Sequence, residues 1–179
     1  YLSDDISTGP IPTDTAEFEN AEQEATKKLN FFINNKGKHS VDYFHKKLGK
    51  IMWNKCGMAR NSKDLNEAIK EISDLRNLFW NEVKVPGSAD EFNEELAKAG
   101  RVADFLELGE LFAKDALSRE ESCGGHFRDE HQTPEGEAVR NKDYQFVSAW
   151  EYKGDPKDAI LHKEELNYND IEVKERSYK

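Results

Sequence analysis

The sequence predicts a mainly α fold: an antiparallel helical bundle of three to four helices, spectrin-repeat-like, with a C-terminal β-hairpin tail. Three observations carry that reading. Apolar residues recur at spacings of three and four across residues 14–128, which puts them on one face of successive helices. Clusters of Gly, Pro and Asn interrupt the pattern where helix–helix turns belong. Beyond residue 128 the period is lost, and a partly alternating aromatic run from Tyr144 to Tyr152 reads as a strand.

The chain divides accordingly. Residues 1–13 read as a linker from an upstream domain, because Gly9-Pro10-Ile11-Pro12 blocks both helix and central strand. Thr13, Asp14 and Thr15 offer N-caps for a first helix, striped by Phe18, Ala21, Ala25, Leu29 and Phe32. Asn34-Asn35-Lys36-Gly37 ends it. Ser40 caps a second helix, with Val41, Phe44, Leu48, Ile51 and Met52 on one face. Gly57 breaks it, so Cys56–Asn61 is a turn, and Arg60 reads as a helix-terminal charge. Ser62 caps a third helix, whose stripe runs Leu65, Ala68, Ile69, Ile72, Leu75, Phe79 and Val83 until Val85-Pro86-Gly87 stops it.

Ser88-Ala89-Asp90-Glu91 has capping-box spacing and opens a fourth helix of about thirty residues. Its stripe is Phe92, Leu96, Ala99, Ala103, Leu106, Ala113 and Leu117. A second set, Val102, Phe105, Leu108 and Phe112, widens the apolar surface and argues for a central position. Gly100 and Gly109 each cost about 1 kcal/mol relative to Ala, so a neighbour is expected to approach closely there. Residues 129–179 form loop and β-rich tail: a strand at 144–152, a turn at Lys153-Gly154-Asp155-Pro156, and a return strand through Ile160 and Leu161. A lone hairpin is marginal in water, so this one must lie on the bundle or on another chain. Ile171, Val173 and Tyr178 are further anchor candidates.

Composition excludes several functions. The 179 residues suit one domain with a tail. At 36% hydrophobic and 35% charged residues, the chain fits helices with narrow apolar stripes, and 10 Phe, 6 Tyr and 3 Trp argue against global disorder. A net charge of -10 excludes a nucleic-acid partner and disfavours an anionic membrane surface. No apolar run approaches the ~20 residues a membrane-spanning helix needs. The chain opens at Tyr1 without an initiator Met, so a fragment cut from a longer protein, or a chain trimmed in preparation, is expected. Cys56 and Cys123 form no C-x-x-C pair and read as small buried hydrophobes. There is no G-x-G-x-x-G, Walker loop, G-x-S-x-G or H-E-x-x-H, and Cys123-x-x-His126 lacks a second ligand pair. Catalytic, cofactor-binding and metal residues are therefore expected to be none.

One stretch concentrates charge around two glycines: Ser118-Arg119-Glu120-Glu121-Ser122-Cys123-Gly124-Gly125-His126-Phe127-Arg128. Adjacent glycines end a helix and permit positive φ or close approach of another backbone. Two readings stand: a docking element whose charged groups meet another surface, or a helix C-terminus with a solvated charge cluster. Pattern alone favours the second. Glu120 and Glu121 point about 100° apart if helical, so they form no dyad. Glu121 is expected to pair with an arginine, and His126 to donate to a backbone carbonyl.

The order Arg119, Glu121, Ser122, Gly124, His126, Arg128 resembles the Arg-x-Glu-Ser-Arg-Gly-x-His signature of the succinate dehydrogenase/fumarate reductase flavoprotein subunit, near its C-terminus. Cys123 stands where that family has arginine, so no role of that arginine carries over. The resemblance extends to Leu48-Gly49-Lys50-Ile51-Met52-Trp53, to Cys56-Gly57-Met58-Ala59-Arg60, and to Leu106–Leu111. It implies a helical region with a β-rich tail packed against an upstream FAD domain. It also implies a parent that exchanges hydride between FAD and succinate or fumarate, an iron-sulfur subunit as partner, and a membrane anchor reached through it. Cytoplasmic placement on the inner face of the membrane follows. By the same resemblance, FAD belongs to the parent and none to this fragment, which is expected to be inactive alone. Arg119, Glu121, Ser122, Gly124, Gly125, His126 and Arg128 become the domain-docking candidates. The C-terminal domain of L-aspartate oxidase, an unrelated helical interaction module, and a small enzyme using Glu121 and His126 are the alternatives.

Overall fold

The structure, a computed structural model, describes residue 10 and residues 12–171. Most of the expected linker, and the anchor candidates Val173 and Tyr178, lie outside the described residues. Ile171 is exposed. Helices α1 (Ala16–Asn34), α2 (Val41–Lys55), α3 (Ser62–Glu82) and α4 (Glu94–Ser118) come first, then hairpin strands β3 (Phe146–Glu151) and β4 (Ile160–Glu165). Two short segments, β1 (His39–Ser40) and β2 (Val83–Lys84), pair in parallel between the helices. The expected bundle with a C-terminal hairpin is what forms.

Local chemistry explains the helix starts. Ser40 Oγ accepts from Tyr43 N, 3.3 Å, at the head of α2. Asn61 caps α3 one residue before the expected Ser62, accepting from Asp64 N at 2.8 Å. An Asn side chain mimics a turn and satisfies a free N–H there. The start of α4 is corrected further. The helix begins at Glu94, where Asn93 Oδ1 accepts from Leu96 N at 3.0 Å. Asn93 Nδ2 also donates to Pro86 O and Ser88 O, 2.8 and 3.0 Å, so one side chain closes the link and opens the helix. Phe92, placed on the stripe by its spacing, is 90% exposed. The 25 residues of α4 span about 37 Å at about 1.5 Å per residue.

Helices α3 and α4 form the central pair and α2 packs across both, as the expected central position of α4 requires. Phe44 and Leu48 of α2 meet Leu65, Ile72 and Phe79 of α3 and Leu106 of α4 in the core. A Cβ on Gly109 would lie 3.3 Å from Leu48 Cδ1 and 3.4 Å from Met52 Sδ, so α2 does approach closely there. Gly100 has nothing within 4 Å, against expectation. The tighter requirement is Gly37, where a Cβ would meet Glu82 C and O at 2.1 Å; only glycine lets the α1–α2 link reach β2.

Helix α1 departs most from its pattern. Of its stripe only Phe32 is buried, while Phe18, Ala21, Ala25 and Leu29 are exposed. It is anchored at its C-terminal end, where Phe32 stacks on Trp80 (5.6 Å) and meets Phe79 edge-on (5.9 Å). Periodicity puts side chains on one face, but it does not supply a partner for that face. The outer set on α4 behaves likewise: Val102 is buried, but Phe105, Leu108 and Phe112 are exposed.

The hairpin lies on the bundle. Phe146 pairs with Glu165 and Glu151 with Ile160 in antiparallel register. Tyr144, expected in the strand, sits in a 3₁₀ turn before it. Trp150 Nε1 donates to Asp115 Oδ1 of α4 at 2.8 Å. Lys114 Nζ donates to Pro156 O and Lys157 O, 3.0 and 2.9 Å. The Arg76 guanidinium forks onto Asp155 (3.1 and 3.0 Å) and reaches the buried Glu110 at 3.1 Å. These contacts tie the turn between β3 and β4 to α3 and α4.

Candidate functional site

The chain leaves α4 at Ser118 and reverses within a few residues. Cys123 and His126 exchange two backbone hydrogen bonds, 2.8 and 3.0 Å, across a two-residue loop of Gly124 and Gly125. Gly124 has φ +59°, and Gly125 has no positive φ. Positive φ at only the first loop residue is the type II′ requirement, which explains glycine at that position. Gly124 and Gly125 are exposed and nothing lies within 4 Å of the Cβ positions they lack.

Behind this tip the charged groups turn inward. Arg128 is 2% exposed. Its Nη1 donates to Ala116 O, Leu117 O and Arg119 O at 3.1–3.2 Å, satisfying carbonyls that α4 leaves free at its C-terminus. Its Nη2 donates to Ser62 Oγ at 2.7 Å, and its Nε to Glu130 Oε2 at 3.2 Å. One guanidinium therefore joins the end of α4 to the start of α3. Glu130 completes the joint by accepting from Ser62 N at 2.5 Å. Burial pushes the Glu130 carboxyl up, but bonds from the Ser62 and Glu130 backbone N–H groups, the Ser62 hydroxyl and Arg128 hold it at about 2.

The first arm of the hairpin is held by its own residues. Ser122 is fully buried; its Oγ accepts from Arg128 N at 2.8 Å, and its N–H donates to Val139 O at 2.8 Å. Glu121, 2% exposed, pairs with Arg119 Nη1 at 2.8 Å and accepts from Asn141 N at 3.0 Å. Arg119 also donates to Tyr144 O and Phe146 O, 2.9 and 3.2 Å, tying the root of the hairpin β3–β4 to the end of α4. Hydrogen bonds thus run on from the end of α4 past Arg128 to the root of β3.

His126 meets the α2–α3 turn. Its Nε2 lies 3.0 Å from Arg119 O. A carbonyl only accepts, so Nε2 carries the proton, as expected from the sequence. Nδ1 then accepts from Arg60 Nη1 at 2.8 Å. Arg60 Nε donates to Cys56 O and Gly57 O, 3.2 and 3.1 Å, so it is also the helix-terminal charge its position implied. The guanidinium lies over the exposed Phe112 ring, 5.0 Å away. Burial pushes the His126 ring down from its ordinary value, and Arg60, Arg128 and Arg119 push the same way against the bond to Arg119 O. Backbone bonds from Arg60 N to Phe127 O (3.0 Å) and from Asp129 N to Arg60 O (2.8 Å) seal the joint.

The seven candidates are therefore brought together, with Gly124 and Gly125 outermost and Arg119, Glu121, Ser122 and Arg128 spent on contacts within the chain. Arg60, Ser62, Glu130 and Asn141 complete the corner without having been expected there. No sequence period links them; each is placed by a turn or a helix end. Glu121 and His126 do not converge on one another: each is engaged by an arginine and by backbone. Among the described residues, no group of three His, Cys, Asp or Glu is placed to hold a metal ion, and no helix is long and apolar enough to cross a membrane.

Known proteins share this architecture. The model of the family described as fumarate reductase flavoprotein C-term matches residues 45–178. The chain belongs to that family. It is the C-terminal region of a succinate dehydrogenase/fumarate reductase flavoprotein subunit. It is 28% identical over 142 residues to the fumarate reductase flavoprotein subunit of Helicobacter pylori, covering 79% of this chain and 20% of that protein. It is 31% identical over 110 residues to an uncharacterised FAD-dependent oxidoreductase of Methanocaldococcus jannaschii, covering 62% of this chain and 19% of that one. A solved quinol-fumarate reductase with menaquinol molecules superposes with a TM-score of 0.74 over 93% of this chain and 28% of its own, at 20% identity, which shows the shared fold. The Mycobacterium smegmatis Sdh1 complex in the apo form superposes with a TM-score of 0.68 at 27% identity, over 84% of this chain and 25% of its own. This flavoprotein C-terminal chain spans about a fifth of the length of the curated relatives it matches. Family membership removes the reading as an unrelated helical module.

Proposed function

We propose that this chain is the structural and docking domain of an FAD-dependent subunit that interconverts succinate and fumarate. The parent moves hydride to or from FAD in its upstream part; this region supports that part and contributes to assembly with an iron-sulfur subunit, which links to a membrane anchor on the cytoplasmic side. Residues 1–13 are the link upstream, 14–128 the supporting bundle, and 129–179 the tail. FAD is held upstream and not by this region, which is inactive alone.

One observation supports the docking role above the rest. The Gly124-Gly125 tip stands exposed on a base that is fixed from three sides, by Arg128 to α3 and α4, by Ser122 to Val139, and by His126 to Arg60. A tip held this rigidly pays little ordering entropy on association. Its surroundings suit a protein partner: Phe112 lies beside Arg60, and Met58 of the same turn is 92% exposed.

The test is to purify the protein natively from the cells that make it. A flavin-bearing polypeptide several times longer than this chain, active with succinate or fumarate, is expected, with the Gly124 and Gly125 amides slow to exchange hydrogen. In the free 179-residue chain the same amides should exchange fast. Turnover by the 179-residue chain without added flavin would end the reading, as would equal exchange in both forms.

A further inference from the structure

The arginines of the corner have their donors in fixed roles, but His126 has a choice of protonation state, and its two contacts permit only one. Nε2 must donate to Arg119 O, and Nδ1 must accept from Arg60 Nη1. Turning the ring over does not help, because imidazolium carries a donor at both nitrogens and Arg60 offers only donors.

We propose that His126 is a proton-operated latch between the glycine hairpin and the α2–α3 turn: the neutral ring holds Arg60, and the protonated ring releases it. The surroundings favour that response from every side. Arg60 faces the ring from the α2–α3 turn, Arg119 from the end of α4, and Arg128 from the second hairpin arm. The nearby carboxylates are already engaged: Glu121 with Arg119 and Asn141, Glu130 with Arg128 and Ser62, and Asp115 with Trp150. None of the three hydrogen-bonds to His126.

The step is one proton gained from solvent at Nδ1 and one hydrogen bond lost. A donor then points at a donor, and two cations face each other 2.8 Å apart. Arg60 keeps its Nε bonds to Cys56 O and Gly57 O, so the guanidinium swings about that end instead of leaving the turn. The backbone bonds between Arg60 and residues 127 and 129 persist, so the bundle stays folded. The result is a corner with one more positive charge and a mobile guanidinium beside Phe112. That this alters docking rests on the proposed function; the latch itself does not.

The experiment is nitrogen NMR of the 179-residue chain from pH about 8 to about 5, following the His126 ring and the Arg60 side chain, beside His126→Gln. At the upper end the ring should show the Nε2–H tautomer. It should titrate below the ordinary 6.5, and Arg60 signals should shift with the same midpoint. His126→Gln keeps a donor and an acceptor without titrating, so Arg60 should lose its pH response. An Nδ1–H tautomer, a midpoint at or above the ordinary value, or Arg60 signals indifferent to the titration would overturn the latch; these wild-type readings stand even if the variant folds badly. In the natively purified protein, the protection of the Gly124 and Gly125 amides, measured against their intrinsic exchange rate at each pH, should fall over the same range. If those amides exchange fast at neutral pH too, the docking reading fails while the NMR still decides the latch.

Discussion

The two places where tail meets bundle are held by arginines in opposite ways. At the hairpin corner, Arg128, Arg119 and Arg60 spend most of their donors on backbone carbonyls: Ala116, Leu117 and Arg119; Tyr144 and Phe146; Cys56 and Gly57. At the root of the β3–β4 turn, Arg76 meets only carboxylates among the described residues, Glu110 and Asp155. Carbonyls do not titrate and carboxylates do. The carbonyl bonds of the corner therefore persist in acid, and His126 and Glu130 are the groups there that respond, while the Arg76 clamp rests on carboxylates throughout.

The largest break in this comparison is Arg128→Ala. It removes donors from three main-chain carbonyls and strands Ser62 and Glu130, so a loss of about 3–5 kcal/mol in urea unfolding is expected. Arg128→Lys should recover little of it, because a single ammonium cannot fork between α3 and α4.

Asp155→Asn should cost less, about 1.5–3 kcal/mol, since Arg76 keeps Glu110 and the bundle core is untouched. The loss should show as faster hydrogen exchange in β3 and β4, with α3 and α4 still protected. Equal loss across the bundle would count against a local clamp.

Acid should separate the two regions without any mutation. Arg76 lies first among the groups that hold the Asp155 carboxyl below its ordinary 3.8, so its contribution is present above that value and fades as pH falls through the lowered one. Burial raises Glu110 despite Arg76, so Glu110 acts in the opposite sense: ionised it costs stability, and protonation on acidification favours the folded state. The Glu130 contribution is present above its ordinary 4.5 and fades only toward about 2. Amide exchange followed on acidification should therefore show the β3–β4 turn opening before the Ser62–Glu130 joint does.

The smallest effects belong to the glycine tip, Gly124→Ala first. Nothing lies where its Cβ would go, so the cost is conformational strain at φ +59°, about 1–3 kcal/mol. Gly125→Ala, with open space and no positive φ, should be nearly silent in the same thermal melt. A reversed order would mean that the II′ turn does not set the tip.

These contrasts also mark how far the sequence could be read. The stripes of α2 and α3 predict their buried faces well, from Val41, Phe44 and Leu48 to Leu65, Ile72 and Phe79, because each finds another stripe opposite. The stripe of α1 is as regular, yet Phe18 and Leu29 are exposed, because among the described residues α4 reaches that helix without burying them. At the start of α4, Ser88-Ala89-Asp90-Glu91 looked like a cap, but Asn93 won by satisfying both the link and the helix. In the corner, the Arg119–Glu121 pair and the His126 bond to a carbonyl were legible, since both partners lie close along the chain. The Arg60–His126 and Arg128–Ser62 bonds were not, since each crosses 66 positions.

By itself the sequence determined the helix faces, the hairpin and the glycine-centred signature that places this chain among flavoprotein C-terminal regions, because these rest on short-range period and local chemistry. Tertiary structure alone decided which charges were buried and which arginine took carbonyls and which took carboxylates. Those choices depend on helix ends and turns meeting in space, and the free groups at a helix end take whichever partner the fold brings within about 3 Å.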